Sequence, residues 1–205
     1  CLQLKINKNK YKIKKLKLFT DIELENLECA IACCLALDIK EKKIIKTLPF
    51  ITNPSGRLQK IYYKKNNSNI FVDYAHTPDA LRRTLISLTT KYNKPVLLFG
   101  CGGERDKGKR KIMGIIAKKY ASRTYITDDN PRHEDPSKIR KAILKHCPDG
   151  IEISDRKKAI INAIKTLKIN ETLLIAGKGH EKFQIIKNMK FKFDDNKIVK
   201  NFIKI

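Results

Sequence analysis

The sequence predicts an α/β fold, with a mostly parallel sheet covered by helices on both faces. Three observations carry that prediction. Short apolar runs rich in β-branched residues recur at 69–74, 95–100, 123–127 and 171–176, the length and composition of strands buried on both sides. Helical patterns fill the intervals between them, as in β-α-β units. Most of these runs end in a polar or glycine-rich loop that leads toward a helix, not in a tight hairpin turn.

The elements follow in order. Residues 1–19 alternate lysine with Leu, Ile and Tyr, as in Leu4-Lys5-Ile6 and Tyr11-Lys12-Ile13. Period two predicts one or two edge strands. Residues 24–37 predict a buried helix in which Cys29, Cys33 and Cys34 pack as small hydrophobes. Residues 41–48 predict a shorter amphipathic helix. Pro49, Asn53, Pro54, Ser55 and Gly56 then form a breaker cluster, which places a domain boundary and divides the chain into 1–54 and 55–205. The strand at 69–74 is followed by Thr77-Pro78-Asp79, a helix start with proline in the first turn. Helices are predicted over 109–121, 136–146 and 156–167, the last capped by Ser154 or Asp155. Lys107, Lys109 and Arg110, around the start of helix 109–121, read as a solvated face in preference to a phosphate contact. Residues 183–193 predict a hairpin and 195–204 a final helix.

Composition narrows the function. Hydrophobic residues make up 41% of the 205, enough for a real core and too many for a disordered tail. The net charge of +24 would suit nucleic acid or an anionic membrane. However, 36 of the 45 basic residues are Lys and only 9 are Arg, and the lysines are spread along the chain among acids. That pattern fits a drift toward A/T-rich codons better than a binding arm, and it disfavours a nucleic-acid partner. A basic nucleic-acid-binding module stays as an alternative. None of the six cysteines forms a C-x-x-C pair or has a His at metal-ligand spacing, which points to a reducing cytoplasm and no metal site within the chain. No apolar stretch approaches the ~20 residues of a membrane span. The chain starts at Cys1 and reads as part of a longer polypeptide.

Ligands of open α/β sheets bind beyond the carboxyl ends of the strands. Four loops follow those ends: Asp73 to Asp79, Gly100 to Arg110, Asp128 to Arg132, and Gly177 to Glu181. Arg105 and Arg132 offer planar forks for a carboxylate or phosphate. Asp129 and Glu181 suit an ammonium, and Asn130 can donate and accept. Taken singly, each loop also reads as an ordinary turn. Together they carry both signs of charge on one predicted rim, which fits an amino acid better than a simple anion.

These segments, in this order, resemble one family. Val72-Asp73-Tyr74-Ala75-His76-Thr77-Pro78-Asp79, Phe99 to Arg110, Thr127-Asp128-Asp129-Asn130-Pro131-Arg132 and Ala176-Gly177-Lys178-Gly179-His180-Glu181 are similar to the C-terminal half of the MurE-type Mur ligases. The resemblance implies a Rossmann-like C-terminal domain over 55–205, preceded over 1–54 by a remnant of the ATP-binding central domain. It implies an ATP-dependent amide ligase of peptidoglycan synthesis, using magnesium. Such an enzyme adds meso-diaminopimelate to a UDP-N-acetylmuramoyl dipeptide through an acyl phosphate. Arg105, Asp129, Asn130, Arg132, Gly177 and Glu181 would grip the diaminopimelate. Asn26, Arg57, Asp73 and His76 would border the ATP. Lysine-adding relatives usually lack the arginine matched by Arg132, and the Asp-Asn-Pro-Arg form argues against both that type and a folylpolyglutamate synthase. The family's Gly-Lys-Thr phosphate loop, magnesium ligands and carbamylated lysine have no counterpart, so the chain alone is expected to be inactive. A non-catalytic remnant is the other reading.

Overall fold

The computed structural model describes residues 2–6, 9–13 and 20–204. Cys1 and the stretch 14–19 of the predicted edge-strand region lie outside the described residues. The chain divides into two compact units, Cys1–Pro54 and Ser55–Ile205.

In the first unit β1 (Leu2–Ile6) and β2 (Asn9–Ile13) pair antiparallel. Helix α1 (Asp21–Ala36) starts three residues earlier than the apolar pattern suggests. A capping box decides its start: Thr20 accepts from the Glu23 backbone N–H, and the Glu23 carboxylate accepts from that of Thr20. Helix α2 (Glu41–Thr47) and a short 3-10 turn (Leu48–Phe50) follow. Ile6, Ile13, Leu27, Ile31, Ile44 and Leu48 make the small core. The expectation of a buried α1 needs correction. Only Glu23, Leu27 and Ile31 are buried on it, and Cys29 and Cys33 are exposed. The helix is apolar around most of its circumference, but this small unit covers a single stripe of it.

The second unit holds a six-stranded sheet of order β3-β4-β8-β5-β6-β7. Its members are β3 (Gln59–Tyr63), β4 (Ser68–Asp73), β5 (Val96–Phe99), β6 (Arg123–Ile126), β7 (Ile151–Glu152) and β8 (Thr172–Ala176). The strands β4 to β8 are parallel, and β3 joins antiparallel at the edge. The sequence reading missed β3 and β7. β3 has one buried residue in five and β7 none, so neither shows the continuous apolar run of a central strand.

Residues in the central strands alternate between two cores. Phe71, Leu97, Phe99, Leu174 and Ala176 pack under α3 (Pro78–Thr89), α4 (Gly108–Tyr120) and α5 (Pro136–Leu144). Ile70, Val72, Val96, Leu98, Leu173 and Ile175 pack under α6 (Arg156–Lys165) and α7 (Asp195–Ile203). Asp155, not Ser154, caps α6 through the Lys158 N–H. Burial on both faces is why these strands read as unbroken apolar runs.

The topology places the site. β8 is the last strand of the sheet in sequence, yet it inserts between β4 and β5. The loop after β8 is therefore flanked by the loops after β4 and β5. Behind it, the fully buried Arg156 donates to Asp195 at 3.0 and 2.8 Å and to the Ala176 carbonyl at 3.0 Å. Those bonds lock α6 and α7 to the end of β8.

Arg110 is a second correction. It does not belong to a solvated face: it is buried and forms a two-pronged pair with Glu134 at 2.7 and 2.8 Å. Glu134 also accepts from the Glu104 backbone at 3.2 Å, which ties the loop after β5 to the segment before α5.

Two stability outcomes follow. Arg156→Ala is expected to cost about 3–5 kcal/mol, because Asp195 would stay buried without a partner. Converting both residues to apolar ones should recover most of that loss. Urea denaturation measures both, and an equal loss in single and double variants would reject the pair as the cause. The Arg110 guanidinium holds the Glu134 carboxyl down at about 2, from an ordinary 4.5. A depressed carboxylate stabilises the fold above its unfolded value, and the contribution disappears as pH falls toward the folded value. Between pH 4.5 and about 2, Glu134→Gln should therefore flatten the acid limb of the stability curve. Thermal melts across that range provide the check.

Candidate functional site

The loop after β6 is fixed from three sides. Asp128 pairs with Arg140, which also reaches Glu152 at 2.6 Å. Burial pushes the Asp128 carboxyl up, against the opposing pull of Arg140. The Asp129 carbonyl accepts from Gln184 Nε2 at 2.7 Å. Asn130 is buried, and its Oδ1 accepts from Lys178 Nζ at 2.9 Å and from the Ile185 N–H at 3.0 Å. Its Nδ2 donates to Glu181 Oε2 at 2.9 Å. The clamp is a hairpin of β9 (Phe183–Ile186) and β10 (Met189–Lys192), whose first strand lies along the loop.

Arg132 occupies the left-handed region at φ 52°, uncommon for a residue with a side chain. Its backbone is held there by the Ile185 carbonyl at 3.1 Å and the Lys187 N–H at 2.7 Å. The side chain donates from Nη1 to the Gly103 carbonyl at 2.8 Å. Strain kept in place by surrounding bonds is typical of sites where a side chain must be aimed.

The loop after β8 brings the remaining groups. Gly177 has φ +111°, and a Cβ there would lie 2.8 Å from Asp129 Oδ2, so only glycine lets the two loops approach this closely. Lys178 is fully buried, with its ammonium also 3.1 Å from Glu181 Oε2. Burial would raise the Glu181 carboxyl. The Asn130 bond, the Lys178 charge and His180 outweigh that, and it lies below its ordinary value. Glu181 is thereby kept ionised. Cys101, in the loop after β5, is no thiolate: burial pushes it up to about 12.

The six residues expected to grip an amino acid thus share one rim. Asp129, Asn130, Gly177 and Glu181 touch or nearly touch. A Cβ on Gly102 would lie 3.0 Å from Arg132 Nη1 and 3.7 Å from Arg105 Cγ, which puts both arginines beside the same loop. Arg105 is exposed and makes no hydrogen bond or ion pair among the described residues. Asp129 and Glu181 lie with Asn130 and Gly177 on the loops after β6 and β8, and the two guanidinium-bearing side chains lie beside Gly102.

The residues expected near ATP divide. Arg57 lies over the Tyr74 ring at 4.6 Å, and the His76 and His180 rings stack near Tyr74 at 4.6 and 4.9 Å. Asp73 is spent internally, accepting from Leu58 N at 2.9 Å, Ala75 N at 3.2 Å and Thr84 Oγ1 at 3.3 Å. It ties the segment at Leu58 to α3. Asn26 is an exposed residue of α1 in the first unit. Sequence reasoning did not single out Lys178, Tyr74 or Gln184. A lysine between two glycines directly after a wholly apolar strand was the available signal for Lys178. Nothing local marks Gln184, whose role depends on the hairpin folding back.

Known proteins are similar to this chain in sequence and fold. The family described as Mur ligase, glutamate ligase domain, matches residues 56–179. A UDP-N-acetylmuramoyl-L-alanyl-D-glutamate–2,6-diaminopimelate ligase of Rickettsia bellii is 48% identical over 161 residues, covering 76% of this chain and 33% of that protein. One from Chelativorans sp. is 40% identical over 192 residues, covering 92% and 39%. A solved structure of a ligase of that name superposes with a TM-score of 0.70 at 34% identity, covering 91% of this chain and 39% of that one. A folylpolyglutamate synthase from Thermotoga maritima, at 21% identity and a TM-score of 0.61, covering 84% and 39%, shares the fold. The chain spans about a third of the length of the curated relatives it matches. The family match takes in most of the second unit and more than half of the sequence, and the chain belongs to the Mur ligase family.

Proposed function

We propose that the second unit is the acceptor-binding module of an ATP-dependent ligase that adds meso-diaminopimelate to UDP-N-acetylmuramoyl-L-alanyl-D-glutamate. The observation that supports this reading is the bonding of Asn130 to Glu181 beside Gly177 and Asp129, with Arg105 and Arg132 beside Gly102 of the neighbouring loop. In this reading the guanidinium groups of Arg132 and Arg105 take the distal carboxylate, with the planar geometry that suits them to it. Asp129 and Glu181 take the distal ammonium, Glu181 being held in its charged form. With the far end fixed, the amine at the near end is the free nucleophile. Fixing it in place is this module's contribution to the reaction.

ATP would supply the phosphoryl group that activates the D-glutamate carboxylate of the UDP-linked dipeptide as an acyl phosphate. The cation and rings of Arg57, Tyr74, His76 and His180 suit the edge of a nucleotide, with Asp73 shaping that edge. Residues 1–54 are then the tail of the central nucleotide-binding domain. Among the described residues no group of three or more His, Cys, Asp or Glu could hold a metal ion. The 205 residues contain no Gly-Lys-Thr phosphate loop. The chain by itself is expected to bind acceptor without ligating it.

A site with polar groups built for a ligand carboxylate rejects an analogue lacking it by up to about 10⁴–10⁵. Calorimetric titration with meso-diaminopimelate and L-lysine is the test. The unaltered chain is expected to prefer diaminopimelate, and Arg132→Ala to abolish the preference. Equal affinities before substitution, or an unchanged ratio after it, would reject the reading.

A further inference from the structure

Lys178 is the most deeply buried cation of the site region, with no exposed surface, and it points at no solvent. Burying an ammonium is costly unless its protons are paired. Here the partners are two residues of the acceptor rim. Nζ donates to Asn130 Oδ1 at 2.9 Å and to Glu181 Oε2 at 3.1 Å, while Asn130 Nδ2 donates to the same Glu181 oxygen at 2.9 Å. The three groups close a triangle.

We propose that Lys178 is a positioning residue that sets the acceptor pocket for an ammonium-bearing ligand, orienting Asn130 and holding Glu181 charged without touching the ligand. This rests on the acceptor reading above. An asparagine amide can turn over and exchange its donor for its acceptor. With Lys178 behind it, Oδ1 must face inward, and Nδ2 is committed to Glu181. That arrangement uses Glu181 Oε2 and leaves Oε1 without a protein hydrogen bond among the described residues. A ligand ammonium can take that oxygen.

The charge balance gives Lys178 a second effect. Glu181 is faced by Lys178 and His180 of its own loop, by Asn130 from the loop after β6, and by the charge of Arg156 on α6, which also senses Asp129. Removing the Lys178 charge removes one of the groups that keep the carboxyl low. Glu181 would then begin to protonate at higher pH, and a neutral acid no longer attracts an ammonium. His180 is common to the parent and variant chains, so a difference in their pH profiles belongs to Lys178.

The test uses the 205-residue chain, meso-diaminopimelate as ligand, and the variants Lys178→Met and Lys178→Gln. Carbon-13 titration of the Glu181 carboxyl should show a higher midpoint in both variants. Calorimetry should show affinity that depends less on pH in the parent chain than in the variants. In Lys178→Met it should be about tenfold weaker near neutrality, equivalent to about 1.4 kcal/mol, and should fall further as pH drops. Lys178→Gln keeps a donor for Asn130 but lacks the charge, so it should share the pH dependence with a smaller neutral-pH loss. It also carries the comparison if Lys178→Met does not fold. Unaltered Glu181 midpoints with unaltered affinity in the variants would overturn this inference alone. No binding by the parent chain would overturn the acceptor reading and this inference with it. Loss of folding in both variants would make Lys178 a residue of the fold and overturn its positioning role.

Discussion

The side-chain amide of Asn130 uses both of its ends at once. Its oxygen takes two donors, one from the loop after β8 and one from the backbone of β9, and its nitrogen gives to Glu181. Three separate segments of chain are therefore registered against one another by a single buried group. Satisfied buried polar networks are rigid because every alternative arrangement leaves some member unpaired. The rest of the site depends on that registration. Arg132 is held in its strained backbone conformation by the same strand of the hairpin, and Gly177 lets Asp129 come close enough to complete the anionic side.

Behind this network the fold supplies a stiff platform. The parallel strands are sealed between two apolar layers, and their ends carry the loops. The buried Arg156–Asp195 pair ties both helices of one layer to the Ala176 carbonyl, immediately before Gly177. On the other layer the Arg110–Glu134 pair fastens the loop after β5. Each pair sits one step back from the rim. Together they link the packing of the core to the placement of charges at the opening, and the buried network needs that link to stay aligned. The central position of β8 has a further consequence. On one side its loop meets Asn130 through Lys178 and Glu181. On the other it meets the Tyr74 cluster through His180.

Charge illustrates how composition and site differ. The net +24 comes mostly from lysines spread over the surface. Such charges are solvated and screened over about 10 Å at ordinary salt, and they contribute little to local chemistry. The cations that organise this molecule are the few that are buried: Arg110, Arg140, Arg156 and Lys178. Each has a carboxylate partner.

The sequence by itself determined the α/β class and the central strands, and it marked a breaker cluster near Pro54 and the polar loops past the strand ends. These are local properties: apolar runs, breakers, and residue types just past strand ends. Arg105, Asp129, Asn130, Arg132, Gly177 and Glu181 could be proposed from the sequence because they lie in the loops past those ends. Edge strands β3 and β7 escaped because a strand lightly covered by the core carries little apolar signal. Only the tertiary structure could turn Arg110 inward and leave one face of α1 open, since both depend on what packs alongside. It also decided the place of β8 in the sheet, the engagement of Asp73 by internal donors, and the burial of Lys178 between Asn130 and Glu181. Those outcomes arise from pairings between residues tens of positions apart, and no short window of sequence contains both partners.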